Sequence, residues 1–546
     1  MVVLPGSLEP SLSELEGLAL LHKTLPVYMT LPAGLREPLE LFGMLKKQSR
    51  HCFLLESKED KERWGRYTFL GFDPVLGFTC KDGALQIRAG ATFTPASSDP
   101  KAVIRAILAE YGSLRLPGLP PFTGGLVGYL SYDYIAYEEP TLKLDALDEE
   151  GFMDIDLMLF ETVIVYDRLQ SLIYLITNIH CDALAENYHK AEYELCALAG
   201  LIAGGVAQAA PPLQLDGPFA PQFDEARYCQ MVRQAQKRIY EGDIFQVVLS
   251  NRLKAPARGS LLDSYRILAE INPSPYLFYF ASDHIELAGA SPETLVKLNG
   301  RRALTFPLAG TRPRGDTPEA DLELEHELLA DEKELAEHNM LVDLGRNDLG
   351  KVSVLGTVKV EEYLNVQRFS HVMHLGSTVS AELREDCDAL DLVAAILPAG
   401  TLSGAPKLRA CEIINELEGS RRGIYGGAIG YFGFNGDMDT CIAIRLAFMK
   451  GGQVFVRSGA GIVADSVPEM EYRECLQKMQ GVLDALAAAV AEGAAGAAGA
   501  GAAIAAGAAG AGQPAGAAIA AGAAGAAGAG QPNDAAAAAA AEGGAK

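Results

Sequence analysis

The chain has 546 residues, with 70 Asp and Glu against 46 Lys and Arg, a formal net charge of −24, and 49% hydrophobic residues. Such a charge repels phosphate backbones and anionic lipid, so it argues against nucleic acid or a membrane as partner; an anionic substrate must meet local positive charge or a bound cation. No run of 18 or more strongly apolar residues marks a membrane span, the N-terminus carries no signal-peptide pattern, and nine cysteines without a CxxC pair suit a reducing cytoplasm rather than zinc or a disulfide frame.

From residue 50 to about 200 the chain is rich in strands. "RYTFLGFDPVLGFTC", "GLVGYLSYDYIAY" and "ETVIVYDRLQSLIYLIT" alternate or run apolar between Gly, Pro and Asp, and a helix is expected over 182–203. Residues 204–223 hold four prolines and little periodicity, the composition of a linker. The expected organisation is an N-terminal subdomain at 1–203, the linker at 204–223, a catalytic domain at 224–489 and a tail at 490–546. Within the catalytic domain a helix ends at Gly242. Strands follow at 244–253, 276–282, 285–298, 301–307, 356–366, 372–381, 424–435, 438–449 and 453–463, and helices at 321–345, 388–396, 406–417 and 468–490. Long antiparallel runs with helices outside predict an α+β sandwich of two large antiparallel sheets. The tail repeats "GAAIAAGAAGAGQP" with few large apolar groups to bury, so a disordered Ala/Gly-rich end is expected.

Two acidic pairs stand out. "DEKELAEHNMLVDL" sets Glu334 and Glu337 one helical turn apart, and "DSVPEMEYRECLQKM" does the same with Glu471 and Glu474. Residues three apart on a helix are neighbours, and like charges there cost a few tenths of a kcal/mol. Ser466 and Glu469 read as a capping box for the second helix. If both helices line one cleft, four carboxylates converge and cannot all stay ionised without a cation between them. Oxygen donors with no nearby Cys point to Mg²⁺.

Several further stretches are similar to one family. "PLAGTRPRG" (307–315), "AEHNMLVDLGRNDLG" (336–350), "LPAGTLSGAPK" (397–407), "GGAIGYFGF" with "DTCIAIR" (426–445) and "SGAGIVADSVPEMEYRE" (458–474) resemble the chorismate-utilising enzymes, and "LLES" (54–57) extends the match. The resemblance implies that Mg²⁺ is held directly by Glu337 and Glu474, with Glu334 and Glu471 reaching it through water, and that it binds the ring carboxylate of chorismate. Arg445 and Tyr425 would meet the enolpyruvyl carboxylate. The amides of Gly459, Ala460 and Gly461 would cradle carboxylate oxygens. Gly310 and Thr311 would face the ring end where the hydroxyl leaves, with His374 as general acid or base and Glu293 nearby. Taken singly, His374 reads as a strand histidine and Arg445 as a surface cation; their joint order reverses both readings.

Three positions bear on the reaction. Relatives that activate water resemble one another in carrying a lysine where this chain has Gln246, which cannot act as a general base. Ala309 stands where the aminodeoxychorismate-forming branch often has a nucleophilic lysine. Thr401 in "PAGTLSG" resembles the ammonia-using type. The implied reaction is ammonia attack at C2, loss of the C4 hydroxyl and pyruvate elimination to anthranilate, the first step of tryptophan biosynthesis. The aminodeoxychorismate and isochorismate or salicylate branches are the alternatives, and a silent tryptophan-binding scaffold is the non-enzymatic one. No glutaminase nucleophile motif occurs, so a separate glutamine amidotransferase subunit would supply ammonia. Resemblance also places a feedback site for L-tryptophan at Glu56, Ser57, Pro275, Tyr276 and Leu277, where the family commonly has Met in place of Leu277.

Overall fold

The computed structural model describes residues 6–58, 65–207, 210–368 and 372–510. Two antiparallel sheets, one of 13 strands and one of 12, carry almost all the strand residues. Alternation along single strands builds the layers. Phe53, Phe69, Phe278 and Phe280 of the larger sheet face Val127, Met158, Phe160 and Ile429 of the smaller one, and these side chains form the core between the sheets. Their sequence neighbours Leu54, Leu70 and Tyr279 turn outward onto the helices of the larger sheet, while Leu126, Leu157 and Leu159 pack beneath the helices of the smaller. Successive side chains of a strand point to opposite faces. Strands such as Ile155–Phe160, "IDLMLF", are therefore buried on both sides and read as unbroken apolar runs. The result is the expected sandwich with helices outside.

The segments on either side of 204–223 share both sheets. Cys52–Glu56 pairs with Tyr276–Ala281 in one, and Gly125–Leu130 pairs with Ala428–Gly433 in the other. Within 204–223, Gln214–Leu215 and Ala220–Pro221 add two short pairings to the strand Gln246–Arg258. Residues Met1–Ala494 form one compact unit.

Five expectations need correction. The helix expected over 321–345 is two, Pro318–Ala330 and Glu332–Gly350, because the Asp331 side chain accepts from the amides of Lys333 and Glu334 and caps the second. The strand expected over 285–298 is Glu286–Ser291 in the larger sheet followed by Thr294–Asn299 in the smaller. The strand expected over 438–449 divides likewise into Met438–Ile442 and Leu446–Lys450. Ser466 makes no capping box: its hydroxyl accepts from the Val463 amide at 3.1 Å, and the Val467 carbonyl receives the first helical amides. The helix that starts at Pro468 runs to Gly510, 20 residues past its expected end, because alanine sustains a helix despite interspersed glycine. The rest of the expected tail, residues 511–546, lies outside the described residues. Among the described residues no helix is long and apolar enough to cross a membrane.

The last buried turns of that helix contribute Leu486 and Ala489 to the core, and Glu492 pairs with Arg266. A chain ending at Ala494 should therefore keep its turnover to within about twofold. One ending at Val482 should unfold at markedly lower urea concentration, followed by circular dichroism.

Candidate active site

Two neighbouring segments bend from one sheet into the other at the same place, and the bend carries the first two site residues. Glu286–Ser291 pairs with Leu446–Lys450 in the larger sheet, and Thr294–Asn299 pairs with Met438–Ile442 in the smaller. Between them the Ala290 amide donates to the Arg445 carbonyl at 3.0 Å, and the Ile442 amide to the Glu293 carbonyl at 3.0 Å. Arg445 adopts a left-handed φ of 53° to make the corner. Glu293 is partly exposed as a residue, yet its carboxyl lies deep enough that burial pushes it up to about 8, opposed only by the hydroxyl of Thr401 donating at 3.2 Å.

Gly310, Thr311 and His374 meet where Leu308–Pro313 runs beside Val372–Glu382, with Thr311 opposite His374. Gly310 is the bulged residue between them, at a φ of +66° where a Cβ would stand 2.9 Å from Leu328 and 3.3 Å from Glu334 Oε2. His374 Nδ1 lies 2.8 Å from the Gly310 carbonyl and 3.1 Å from Thr311 Oγ1. A carbonyl can only accept, so Nδ1 carries the proton and Nε2 is the basic nitrogen of the neutral ring. Burial, with Arg445 nearby, holds the imidazole below its ordinary value against the Gly310 contact.

Gly459, Ala460 and Gly461 lie in the strand Gln453–Ile462, opposite Ser250, Leu249 and Val248. The Ser250 and Val248 amides point away from that pairing, to Glu418 Oε1 at 2.7 Å and to the Ser403 carbonyl at 2.9 Å. By antiparallel alternation, Gly459 and Gly461 therefore turn their own amides outward, while that of Ala460 enters the ladder. The neighbouring strand Leu446–Lys450 reaches only to Val456, so beyond it this edge has no strand partner, and the Lys478 ammonium reaches the Gly459 carbonyl there. Two of the three expected amides face the site and Ala460 does not. The Tyr425 hydroxyl lies 3.1 Å from where a Cβ on Gly459 would be, and Gln246 Nε2 lies 2.6 Å from that position on Gly461. The phenol and the amide thus lie over the same face of this strand, two residues apart, or roughly 6.6 Å. Gln246 is buried, and its Oε1 has no hydrogen-bond partner among the described residues.

The acidic pairs come into electrostatic reach of one another. Burial and then Glu334 raise the Glu337 carboxyl, with Glu474 adding to this; Lys478 and Lys333 oppose it. Burial also raises Glu471, opposed by the Ser466 hydroxyl, while Glu474 raises it further. Glu474 is paired with Lys478 at 2.7 Å, and Arg312 stands 3.5 Å from Glu334. Among the described residues no three of His, Cys, Asp and Glu stand close enough to ligate one ion. The Lys478 ammonium is the cation beside Glu474, and it also donates to the Gly459 carbonyl at 3.2 Å. Carboxylate oxygens are the donor type a hard divalent cation takes, but with Glu474 held by Lys478 the four are not gathered around one point. Lys478 was not anticipated, although the i,i+4 spacing to Glu474 was its signal.

Glu56, Ser57, Pro275, Tyr276 and Leu277 all line one cavity of about 200 Å³ between the sheets. Tyr265 and Arg168 each donate to Glu56 at 2.7 Å. The cavity also takes in Arg66, Phe69, Lys297, Tyr431 and Asp439, which the sequence did not single out. Lys297 and Asp439 face each other across adjacent strands, a pairing that exists only once register is known.

A profile of the chorismate binding enzyme family matches residues 50–484, reaching back beyond the stretch where the motifs are densest. The chain belongs to that family. It is 41% identical over 486 residues to anthranilate synthase component 1 of Acetivibrio thermocellus, covering 87% of this chain and 98% of that one. It is 43% identical over 482 residues to the protein of the same name from Acinetobacter calcoaceticus, covering 85% and 95%. The crystal structure of anthranilate synthase component I from Streptococcus pneumoniae TIGR4 is similar with a TM-score of 0.68 at 36% identity, over 77% of this chain and 92% of that chain.

A methyl group on Gly461 would stand 2.6 Å from Gln246 Nε2, the far end of a flexible side chain, so it would push the Gln246 amide aside. Gly461→Ala should therefore cost no more than about 1 kcal/mol in urea denaturation, while kcat with ammonium falls because the Gln246 amide is displaced.

Proposed function

We propose that the chain is the chorismate-aminating component of an anthranilate synthase. It would add ammonia from a separate glutamine amidotransferase subunit to C2 of chorismate, lose the C4 hydroxyl as water, and eliminate pyruvate. The observation that carries the choice of nucleophile is Gln246. Its amide cannot take a proton from water, but its buried, unpartnered Oε1 can accept a hydrogen bond from ammonia beside the strand Gln453–Ile462. The similarity to proteins named anthranilate synthase component 1 supports the same product.

The two titratable groups at the ring end are suited to opposite tasks. Glu293, held at about 8, is mostly neutral at pH 7 and can protonate the departing C4 hydroxyl. His374, held low, is neutral with a basic Nε2 and can remove the C2 proton during pyruvate elimination. The Arg445 guanidinium and the Tyr425 hydroxyl would orient the enolpyruvyl carboxylate, with the Gly459 and Gly461 amides beside them. Glu337 and Glu474 would hold Mg²⁺ directly, and Glu334 and Glu471 through water. When bound, the ion would neutralise the ring carboxylate that this acidic cluster otherwise repels.

The inter-sheet cavity fits the proposed feedback site for L-tryptophan. It offers aromatic and aliphatic walls for an indole, and both Asp439 with Glu56 and Arg66 with Lys297 near the two charges of a free amino acid. Leu277 in place of Met is close to volume-conserving.

Incubation of the isolated chain with chorismate, ammonium and Mg²⁺ should yield fluorescent anthranilate without any added lyase; 4-amino-4-deoxychorismate or isochorismate as product would overturn the assignment. Mg²⁺ should raise the Tm of the wild type but not of Glu337→Gln with Glu474→Gln. If Glu293 is the acid, kcat should fall as pH rises through about 8. The Thr401 hydroxyl favours the ionised carboxylate, so Thr401→Val should move that limb to higher pH.

A further inference from the structure

The turn that carries Glu293 is tied at both ends to one residue, by its backbone at one end and its side chain at the other. Tyr276 lies opposite Ser291, the last residue in the larger sheet before the turn. Its phenol accepts from Thr294 Oγ1 at 3.0 Å, at the first residue of the strand in the smaller sheet. Glu293 stands between those two attachments, and its amide donates to the Ser291 hydroxyl at 3.3 Å. The same phenol donates to Asp439 Oδ1 at 2.7 Å, and Asp439 is paired with Lys297 at 2.7 Å. Tyr276, Asp439 and Lys297 all line the inter-sheet cavity. The ladder is irregular just past the turn, between Thr294 and Val296, and a bulge is where a strand re-aims its side chains.

We propose that Thr294 couples the inter-sheet cavity to Glu293. A zwitterionic amino acid in the cavity competes for Asp439 and Lys297, draws the Tyr276 hydroxyl with them, and alters its hydrogen bond to Thr294. The turn then re-sets and the Glu293 carboxyl is aimed away from the ring. Thr294 is a positioning residue, acting through Glu293. The coupling rests on the cavity being the L-tryptophan site and deepens that reading by naming the link to catalysis. A ligand shifts an equilibrium only through contacts that differ between the two states, and this network supplies such a contact.

Thr294→Val removes the hydroxyl and nearly preserves the shape, while Tyr276 keeps Asp439 as its acceptor. L-Tryptophan would be titrated by calorimetry without chorismate, and as an inhibitor of the chorismate-plus-ammonium reaction, using wild type, Thr294→Val and Thr294→Ser. The expected result is binding within about twofold in all three, with inhibition of Thr294→Val weakened at least about tenfold and restored in Thr294→Ser. Tyr276→Phe breaks the same hydrogen bond from the other side and should weaken inhibition at equal occupancy, a check that holds even if the valine variant fails to fold. Equal inhibition of wild type and Thr294→Val overturns the coupling. Loss of inhibition in Thr294→Ser overturns the hydroxyl as its basis. No binding to the wild type overturns the tryptophan reading of the cavity, and the coupling falls with it.

Discussion

The site depends on a paired bend. Two antiparallel segments leave one sheet and enter the other together, and the hydrogen bonds from Ala290 to Arg445 and from Ile442 to Glu293 keep the two corners in step. Sheets stacked about 10 Å apart are joined at corners by strands that switch layers. A corner residue escapes strict in-and-out alternation, so its side chain can face a cleft at the sandwich edge. Arg445 makes its corner through a left-handed backbone conformation, which is uncommon for a non-glycine residue and signals an imposed constraint, and its guanidinium donates to the Lys478 carbonyl.

A second support is a fully buried ion pair. Arg422 and Glu418 are shielded from solvent, and Glu418 also faces Arg457. Arg422 donates to the Leu402 carbonyl at 2.6 Å and to the Val248 carbonyl at 2.7 Å, and lies over the Tyr132 ring at 4.7 Å. Leu402 follows Thr401, and Val248 lies two residues from Gln246. One guanidinium therefore braces the turn that touches Glu293 against the strand that carries the amide. Buried pairs add little net stability against apolar isosteres, but a planar fork fixes geometry in a way that an aliphatic contact does not.

Charge runs through the rest of the site. Burial, and then neighbouring carboxylates, raise Glu337 and Glu471, and Lys333 and Lys478 only partly offset this. Within electrostatic reach of Glu474, Arg445 with the outward amides of Gly459 and Gly461 gives the local positive charge that a chain of net charge −24 needs in order to receive an anion. Gly310 links the two regions, since its missing Cβ makes room for both Leu328 and Glu334.

Much of this was legible from local pattern. The three-residue spacing of Glu334 with Glu337 and of Glu471 with Glu474 depends on helical geometry alone, and the apolar runs that build the sheets depend on period two. What pattern could not express was where a strand changes sheets. "ELAGASPETLVKLN" and "MDTCIAIRLAFMK" are apolar on both sides of their corners, so each read as one strand, although Ser291-Pro292-Glu293 was a turn signal in the first. The outward amides of Gly459 and Gly461, and the role of Ala460 in the ladder, depended on which edge Ser250 and Val248 spend on Glu418 and Ser403. The Asp331 break and the Ser466 contact turned on single side chains choosing among nearby amides.

By itself the sequence determined the chemistry available to this protein: which residues are acidic, which glycines permit close approach, and which position lacks a base. Those properties belong to residue types and short spacings, and they survive without knowledge of distant contacts. Only the tertiary structure decided which groups share a space, how far burial moves Glu293 and His374, and that one tyrosine touches both a cavity and the turn beside it. Proximity and desolvation arise when segments far apart in the chain are packed together, and no local pattern encodes them.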